Sequence, residues 1–410
     1  MRKQAAIGFI FVTALIDIIG IGLIIPITPE LIREVSQFTE KSDVSFYGGL
    51  LGACYAFFQF IFAPILGGLS DQYGRRPVLL LALLGFAVDY LIVAFAPTLL
   101  WLFFARIISG ICGSSLTVAN AYVADISEPE NRAKNFGLIG AAFGLGFVLG
   151  PALGGLLGSI GTRIPFFVAS GLALANFLYG YFMVPESLKD ENKRKFTWKR
   201  ANPTKTLGRL FSHKTIIGLL VCLVFIYIAA HATHSNWSFF TDYKFGWKPQ
   251  AIGFSLMFVG IMVSIVQGGL VGPVVKKIGE VNAIYVGLFF NALGLFLMGI
   301  VTESWMVYAV IVPYAFGGFA GPSLQSIMTS QIEKNAQGEF QGGLTSLVTV
   351  TNVVGPLIMT TFIFSYFTDP ANGYDLPGAP FFLGTVLAVI GIFLAYRNLS
   401  RYHSNKTTNP

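Results

Sequence analysis

Apolar stretches of about twenty residues recur along nearly the whole of this 410-residue chain, separated by short polar joints, and each is long enough to cross a bilayer's hydrocarbon core as a helix. With 54 % of residues apolar and only 11 % charged, too little polar surface exists to solvate two or three water-soluble domains. The pattern excludes a soluble enzyme, a nucleic-acid binder and a disordered scaffold. Segmentation predicts twelve crossings, at 5–29, 46–69, 77–95, 99–120, 136–157, 164–184, 215–240, 250–274, 281–300, 305–329, 342–364 and 379–396. The first run follows Met1, Arg2 and Lys3, but it continues to Pro26 and Pro29 without an Ala-x-Ala site, so it reads as a membrane helix rather than a signal peptide. Cys54, Cys112 and Cys222 lie far apart inside apolar segments, which offers neither a disulfide framework nor a metal site.

The joint from Pro185 to Lys214 is the long one. It carries nine basic residues and no sustained apolar run, and it is expected to be a cytoplasmic linker (185–214) between two six-helix halves, 1–184 and 215–410. Positive charge accumulates on the cytoplasmic side of a membrane protein. With both termini inside, the cytoplasmic segments hold 21 of the 27 Lys and Arg residues; the external joints hold Arg33, Lys41, Arg163, Lys244 and Lys248, and Arg106 lies inside the fourth helix. The net charge of +7 therefore reports orientation and not a polyanionic partner.

The halves repeat one another at an offset of 205 residues. Gly67 and Gly74 fall on Gly272 and Gly279, Gly113 on Gly318, Gly137 on Gly342, and Gly150-Pro151 on Gly355-Pro356. Duplicated six-helix units are a common plan of secondary transporters, whose substrate lies near the bilayer midplane.

The joint after the second crossing reads Gly67-Gly68-Leu69-Ser70-Asp71-Gln72-Tyr73-Gly74-Arg75-Arg76-Pro77, an acid and two bases in a glycine-rich turn. Topology alone explains positive charge there, but the acid beside paired arginines suits a grip between helix ends. In the fifth crossing, Gly146, Gly150 and Gly154 recur every four residues around Pro151, a spacing that lets backbones approach. The loop resembles the signature loop of the major facilitator superfamily. The resemblance implies a gating latch of Asp71, Arg75 and Asp125, with Gly67, Gly74, Arg76 and Arg132 around it. In the second copy Lys276 stands where Asp71 would be, and both arginines are missing. The fifth-helix pattern is similar to the superfamily's antiporter signature, which implies export, and Arg106-Ile-Ile-Ser109-Gly110 is similar to its proton-linked arginine motif. Across nearly the whole chain, through Asp17-Ile-Ile-Gly20-Ile-Gly22, Asp89-Tyr90, Ala121-Tyr122-Val123-Ala124-Asp125 and Gly355-Pro356, the sequence resembles the tetracycline/proton antiporters. Two departures stand out: Asn291 aligns with their helix-nine acid and Val263 with their helix-eight histidine, while Gln267 is kept.

Charged side chains at the bilayer centre cost at least about 2.5 kcal/mol on insertion scales, so Asp17, Asp89 and Arg106 are expected to face a protected interior and to couple protons, structural pairing being the alternative. His231 and His234, one helical turn apart, are candidates for proton carriage or substrate contact and equally for helix-end hydrogen bonds. Gln59, Gln267, Asn291 and Gln325 line a substrate cavity or join helices to each other. No GxxxxGK[ST] cradle occurs, so energy is expected from an ion gradient. The sequence predicts a twelve-helix membrane transporter that exports a small amphipathic, tetracycline-like molecule in exchange for protons. It needs no cofactor or resident metal, works as a monomer, and resides in a bacterial inner membrane. An exporter of an endogenous metabolite or siderophore, or a proton-coupled importer, is the alternative on the same scaffold.

Overall fold

A computed structural model of the protein describes the backbone of residues 2–128, 131–198, 201–212, 215–333 and 336–408, and their side chains except those of 2–7, 132–134, 205–206, 338–339 and 400–408. Among these residues twelve helices are long and apolar enough to cross a membrane, and no strand occurs. Lipid offers backbone amides no partner, so an isolated apolar segment must satisfy its own hydrogen bonds by becoming helical. The spans are α1 (Gly8–Ser36), α2 (Lys41–Tyr73), α3 (Arg75–Phe95), α4 (Leu99–Ile126), α5 (Asn135–Ile160), α6 (Ile164–Met183), α7 (Ile217–His234), α8 (Pro249–Ile278), α9 (Glu280–Ile300), α10 (Ser304–Ser330), α11 (Phe340–Thr368) and α12 (Ala379–Leu399). Leu81, Leu100, Phe182 and Phe393 point outward, an arrangement that water would penalise and acyl chains do not.

The helices depart from their predicted bounds where local chemistry intervenes. Pro26 lies in one 3₁₀ turn, Ile25–Ile27, and α1 resumes as Thr28–Ser36 instead of stopping near residue 29. The crossing predicted at 215–240 ends at His234, and Trp237–Phe245 forms a separate short helix closed by Gly246 at φ +64°. At the break, Ser235 Oγ donates to the His231 carbonyl at 2.8 Å, and a serine bonded in this way competes with the helical ladder. Wide π turns interrupt α8 at Ile265–Leu270 and α11 at Leu357–Phe364, and a 3₁₀ turn interrupts α10 at Phe316–Phe319. Within a membrane, irregular backbone is tolerated only where protein or water covers it.

The sequence repeat is also a repeat of backbone conformation. Gly74 and Gly279 precede α3 and α9 at φ +107° and +81°, with ψ 157° and 160°, and each introduces a 21-residue helix. L-residues rarely adopt that conformation, so glycine is required at both positions.

The chain forms two compact units. The first comprises Met1–Thr39, Leu51–Pro203 and Trp247–Gly260; the second comprises Glu40–Leu50, Thr204–Gly246 and Ile261–Pro410. Phe9, Leu83, Tyr122 and Ile139 bring α1, α3, α4 and α5 into the first core. The second core joins Leu220 and Leu223 of α7 to Leu288, Leu324, Leu344 and Ala395, and Leu210 of the short helix Pro203–Leu210 is buried with them.

In the first unit α5 is the seat of α1. A Cβ on Gly146 would lie 2.7 Å from Ile18 Cβ, one on Gly150 would lie 2.9 Å from the Gly22 Cα, and one on Gly154 would strike the Leu23 carbonyl. Pro151 remains inside a continuous helix, Arg132–Ile160, and presses on Gly22 from the same side. Gly155 turns to the start of α8, where its added Cβ would meet the Gly253 Cα at 3.1 Å.

Candidate functional site

Three groups of polar side chains among the described residues hold the candidate positions. The first lies within the membrane span of the first unit. Asp89 on α3 is fully buried and neither carboxylate oxygen has a hydrogen-bond partner among the described residues; Arg106 on α4 approaches it, Nη2 to Oδ2, at 3.7 Å. Two tyrosines, Tyr55 on α2 and Tyr90 on α3, stand within electrostatic reach of Asp17, Asp89 and Arg106. The Tyr90 hydroxyl packs on Gly20, one turn beyond Asp17, and leaves no room there for a larger residue. Asp17 itself is half-buried and makes no hydrogen bond or ion pair among the described residues. On α4, Gly110 and Gly113 let the helix approach α2 closely, and Gln59 Nε2 donates to the Tyr55 hydroxyl and the Gly113 carbonyl, each at 3.3 Å.

Chemically this is a proton-accepting group with one loosely held countercharge. Removing an ionised carboxylate from water costs several kcal/mol, and one ion pair without supporting hydrogen bonds offsets only part of it. The charge on Asp89 is conditional on Arg106 staying where it is.

The second group lies at the ends of α2, α3 and α4. Arg75 joins three partners: Nη1 meets Asp71 Oδ1 at 2.5 Å and Ser70 Oγ at 2.6 Å, and Nε meets Asp125 Oδ2 at 3.2 Å. The latch residues of the sequence motif are thus brought together. Arg76 turns away, donating to the Tyr181 carbonyl at 2.5 Å with its guanidinium 5.8 Å from the Tyr181 ring. Gly67 has only an ordinary contact with Thr117, whereas its neighbour Gly68 lies beneath the Phe196 ring. Arg132 opens the longer helix Arg132–Ile160 that contains α5, and its side chain lies outside the described residues.

Sequence reasoning missed a further participant in this group. Glu186 Oε1 and Oε2 accept the backbone N–H groups of Arg75 and Arg76 at 2.9 and 3.1 Å, capping α3 where its amides have no intrahelical partner. A side chain on Gly74 would collide with that carboxylate. The chain after Glu186 stays on the latch: Ser187 Oγ donates to Asp125 Oδ2 at 3.1 Å, Arg194 N to the Asp71 carbonyl at 3.0 Å, and Phe196 N to Gln72 Oε1 at 2.7 Å. Tyr122 Oη secures the entry to this strap by donating to the Pro185 carbonyl at 2.7 Å. Within the strap Lys193 meets Asp190 at 2.7 Å, and its hydrogen bond holds the Asp190 carboxyl below the usual range. Among the described residues the second copy of the loop shows no such network. Among the described residues Lys276 and Lys277 make no ion pair, and Glu280 accepts from Ser326 Oγ at 2.5 Å.

The third group belongs to the second unit. His231 Nε2 meets Asn352 Oδ1 at 3.2 Å, its ring lies against Gly355, and its Nδ1 is buried without a partner. The His234 ring centroid is 6.0 Å from that of His231. Gln325 Nε2 donates to Gln341 Oε1 at 2.9 Å, Asn291 is buried beside Gly317 with Oδ1 unpartnered, and Gln267 sits in the π turn of α8 facing Gly318. Asn291 and Gln267 thus lie beside the neighbouring glycines Gly317 and Gly318. Among the described residues no group of three or more His, Cys, Asp or Glu side chains has the arrangement to hold a metal ion.

Comparison with known proteins agrees with this architecture. The pattern of the Major Facilitator Superfamily matches residues 10–360. The tetracycline resistance protein of class C from Escherichia coli is 40 % identical over 361 residues, covering 88 % of this chain and 90 % of that protein. The class D protein from Salmonella ordonez is 38 % identical over 399 residues, 96 % of each chain. Among solved structures, a bacterial homologue of the human lysosomal transporter Spinster superposes with a TM-score of 0.78 at 15 % identity, covering 98 % of both chains. The duplicated helices, the Asp71–Arg75–Asp125 network and these similarities lead to one assignment: the chain is an integral membrane transporter, not an enzyme, and it belongs to the Major Facilitator Superfamily, where it stands with the tetracycline resistance proteins.

Proposed function

We propose that this transporter exports a small amphipathic, drug-like molecule of the tetracycline kind from a bacterial cytoplasm, exchanging it for entering protons by alternating access. The observation that carries the reading is Asp89, fully buried and, among the described residues, without hydrogen bonds and held only by Arg106 at 3.7 Å. A proton arriving on Asp89 cancels the charge that holds Arg106, and the freed guanidinium then competes for other partners, Asp17 and the hydroxyls of Tyr55 and Tyr90 among them. Proton and substrate each bias the facing equilibrium only through their different affinities for the two states, so coupling requires that they favour opposite ones. The Asp71–Arg75–Asp125 network closes the cytoplasmic ends of α2, α3 and α4 in one state and parts in the other. The halves 1–184 and 215–410 act as the moving bodies, with both termini and the linker 185–214 in the cytoplasm and the monomer as the working form. Resistance to tetracycline in relatives up to 40 % identical supports export of a drug.

The test is proton movement in inverted membrane vesicles with an acid interior, on addition of magnesium-tetracycline, other flat antibiotics and cationic dyes. Substrate-dependent alkalinisation of the interior that is lost in Asp89→Asn and in Asp17→Asn is the expected result. Silence across the panel from inserted, folded protein sinks drug/proton exchange. Asn291 and Val263, neither of which titrates, favour a dedicated metabolite as the second reading.

A further inference from the structure

Within the second unit, a polar cleft of about 250 Å³ lies where the first turn of α2 meets the end of α11. The two elements pack tightly beside it. Thr361 Oγ1, in the π turn of α11, donates to the Phe46 carbonyl at 3.2 Å, and a Cβ on Gly49 would lie 2.8 Å from the Thr361 nitrogen. The cleft is therefore a gap between fastened elements and not a slack joint. Ser42 and Asp43 line it from α2, Asp369 and Asn372 from the turn that follows α11, and the exposed rings of Phe362 and Tyr366 complete the wall.

Each acid has a local use that leaves oxygen over. Asp43 lies in the first turn of α2, where the helix dipole favours an anion, and it makes no hydrogen bond or ion pair among the described residues. Asp369 Oδ1 accepts the Ala371 N–H at 2.9 Å and caps the turn Pro370–Asn372, while its Oδ2 has no partner among the described residues. Asn372 Nδ2 donates to the Tyr366 carbonyl at 3.1 Å, which leaves Oδ1 as an acceptor. Ser42 is the residue that no local use explains. It is only 5 % exposed, it lines the cleft, and among the described residues its hydroxyl has no hydrogen-bond partner. Buried hydroxyls are ordinarily satisfied, so an orphan bordering a cleft marks the place of a bound species.

What the cleft offers is oxygen and negative charge. Two carboxylates, an amide oxygen and a hydroxyl line it together, and no base does. Lys41, next to Ser42 in the chain, is turned to Asp242, its Nζ 2.8 Å from that carbonyl and 3.9 Å from Oδ2. Oxygen donors of this kind suit a hard cation, and apolar walls beside them focus their field. Ca²⁺ takes about six to eight oxygen ligands, whereas Mg²⁺ keeps several of its waters and is held through one or two carboxylates, which is what two acids can supply. A water takes about 30 Å³, so the 250 Å³ cleft has room for such an ion with its waters.

We propose that the Ser42–Asp43–Asp369–Asn372 cleft binds a hydrated divalent cation of the Mg²⁺ kind, held from α2 on one side and from the turn after α11 on the other. Its opening to the cell exterior rests on the proposed orientation; the binding does not.

The experiment titrates Mn²⁺, a hard divalent ion with a spin signal, into the full-length, tag-free transporter in a non-ionic detergent, without substrate or gradient, and reads free Mn²⁺ by electron paramagnetic resonance. One saturable site that Mg²⁺ displaces is expected, at least about tenfold weaker in Asp43→Asn and in Asp369→Asn and about threefold weaker in Ser42→Ala. Asp375→Asn is the charge control, because it removes an acid of the same loop that is bonded to Tyr243 and does not line the cleft. Affinity in that variant is expected to match the wild type. Each variant is first shown to elute as a monodisperse peak, and Ser42→Ala, which removes only an unpartnered hydroxyl, decides the matter if the acid variants fail that check. The absence of a saturable site in the wild type, unchanged affinity in the Asp43, Asp369 or Ser42 variants, or equal weakening in Asp375→Asn, the mark of a diffuse surface charge, overturns the proposal. With neither substrate nor gradient present, a failure here and a failure of proton exchange in vesicles are separate results.

Discussion

Asp89 is buried with Arg106 as its ion-pair partner, so deleting the arginine leaves a carboxylate stranded in an apolar interior. Arg106→Ala is expected to destabilise the purified transporter by about 3–5 kcal/mol, the usual cost of breaking a buried pair from one side. Asp89→Asn in the same background is expected to restore most of that loss, because no charge is then left to strand. Thermal unfolding of the two single variants and the double variant checks this; an Arg106→Ala protein as stable as wild type shows that the pair carries no weight. Along the chain Asp17 and Asp89 are alike, each a lone acid within an apolar helix. Position relative to Arg106 separates them, and it depends on how α1, α3 and α4 pack, which residue spacing does not encode. The Asp71–Arg75–Asp125 group was easier to read, because the loop from Gly67 to Pro77 resembles a family signature that names its acid and bases, although Gly74 breaks the helix between Asp71 and Arg75.

At the scale of elements, α3 begins where two backbone amides meet the Glu186 carboxylate, although 111 residues separate Arg75 from that acid. Nothing in a Pro-Glu-Ser sequence at the end of an apolar run announces such a partner, and the stretch reads as the start of a basic linker. Loss of a capping side chain costs about 0.5–2 kcal/mol. Glu186→Ala is therefore expected to lower stability by roughly that amount and to release the strap, so that trypsin cuts faster after Lys189, Lys193 and Lys195. Unchanged cleavage kinetics would show that Ser187, Arg194 and Phe196 hold the strap without it. The break after His234 was also hidden, because the aromatic residues Trp237, Phe239 and Phe240 carry on from the apolar run and the Ser235 hydroxyl turned on the backbone marks the stop only in the structure.

At the scale of the molecule, twelve crossings were legible because lipid reads length and hydropathy above all else, and those are additive along a chain. The expected orientation rests on charge placement and is open to direct measurement. In a background with Cys54, Cys112 and Cys222 replaced by alanine, Lys195→Cys and Arg401→Cys are expected to react with an impermeant maleimide only in inverted vesicles, and Lys244→Cys only in intact cells. The opposite pattern would invert the topology. What composition did not disclose is that the first turns of α2 and α8 pack with the other helices of different units, Glu40–Leu50 in the second and Trp247–Gly260 in the first. The seating of α1 on the α5 glycines sets a timetable as well as a contact. About 130 residues separate Gly22 from Gly150, which at roughly 5–20 residues per second is on the order of 6–26 s of synthesis. For that interval the helix bearing Asp17 has left the ribosome while its seat is still unmade, so the acid must be sheltered by the insertion machinery or by helices made earlier than α5. The placing of Asp17 is thereby tied to the birth of the fifth helix, and a ribosome stalled before Gly150 leaves an acid in the membrane with no permanent place.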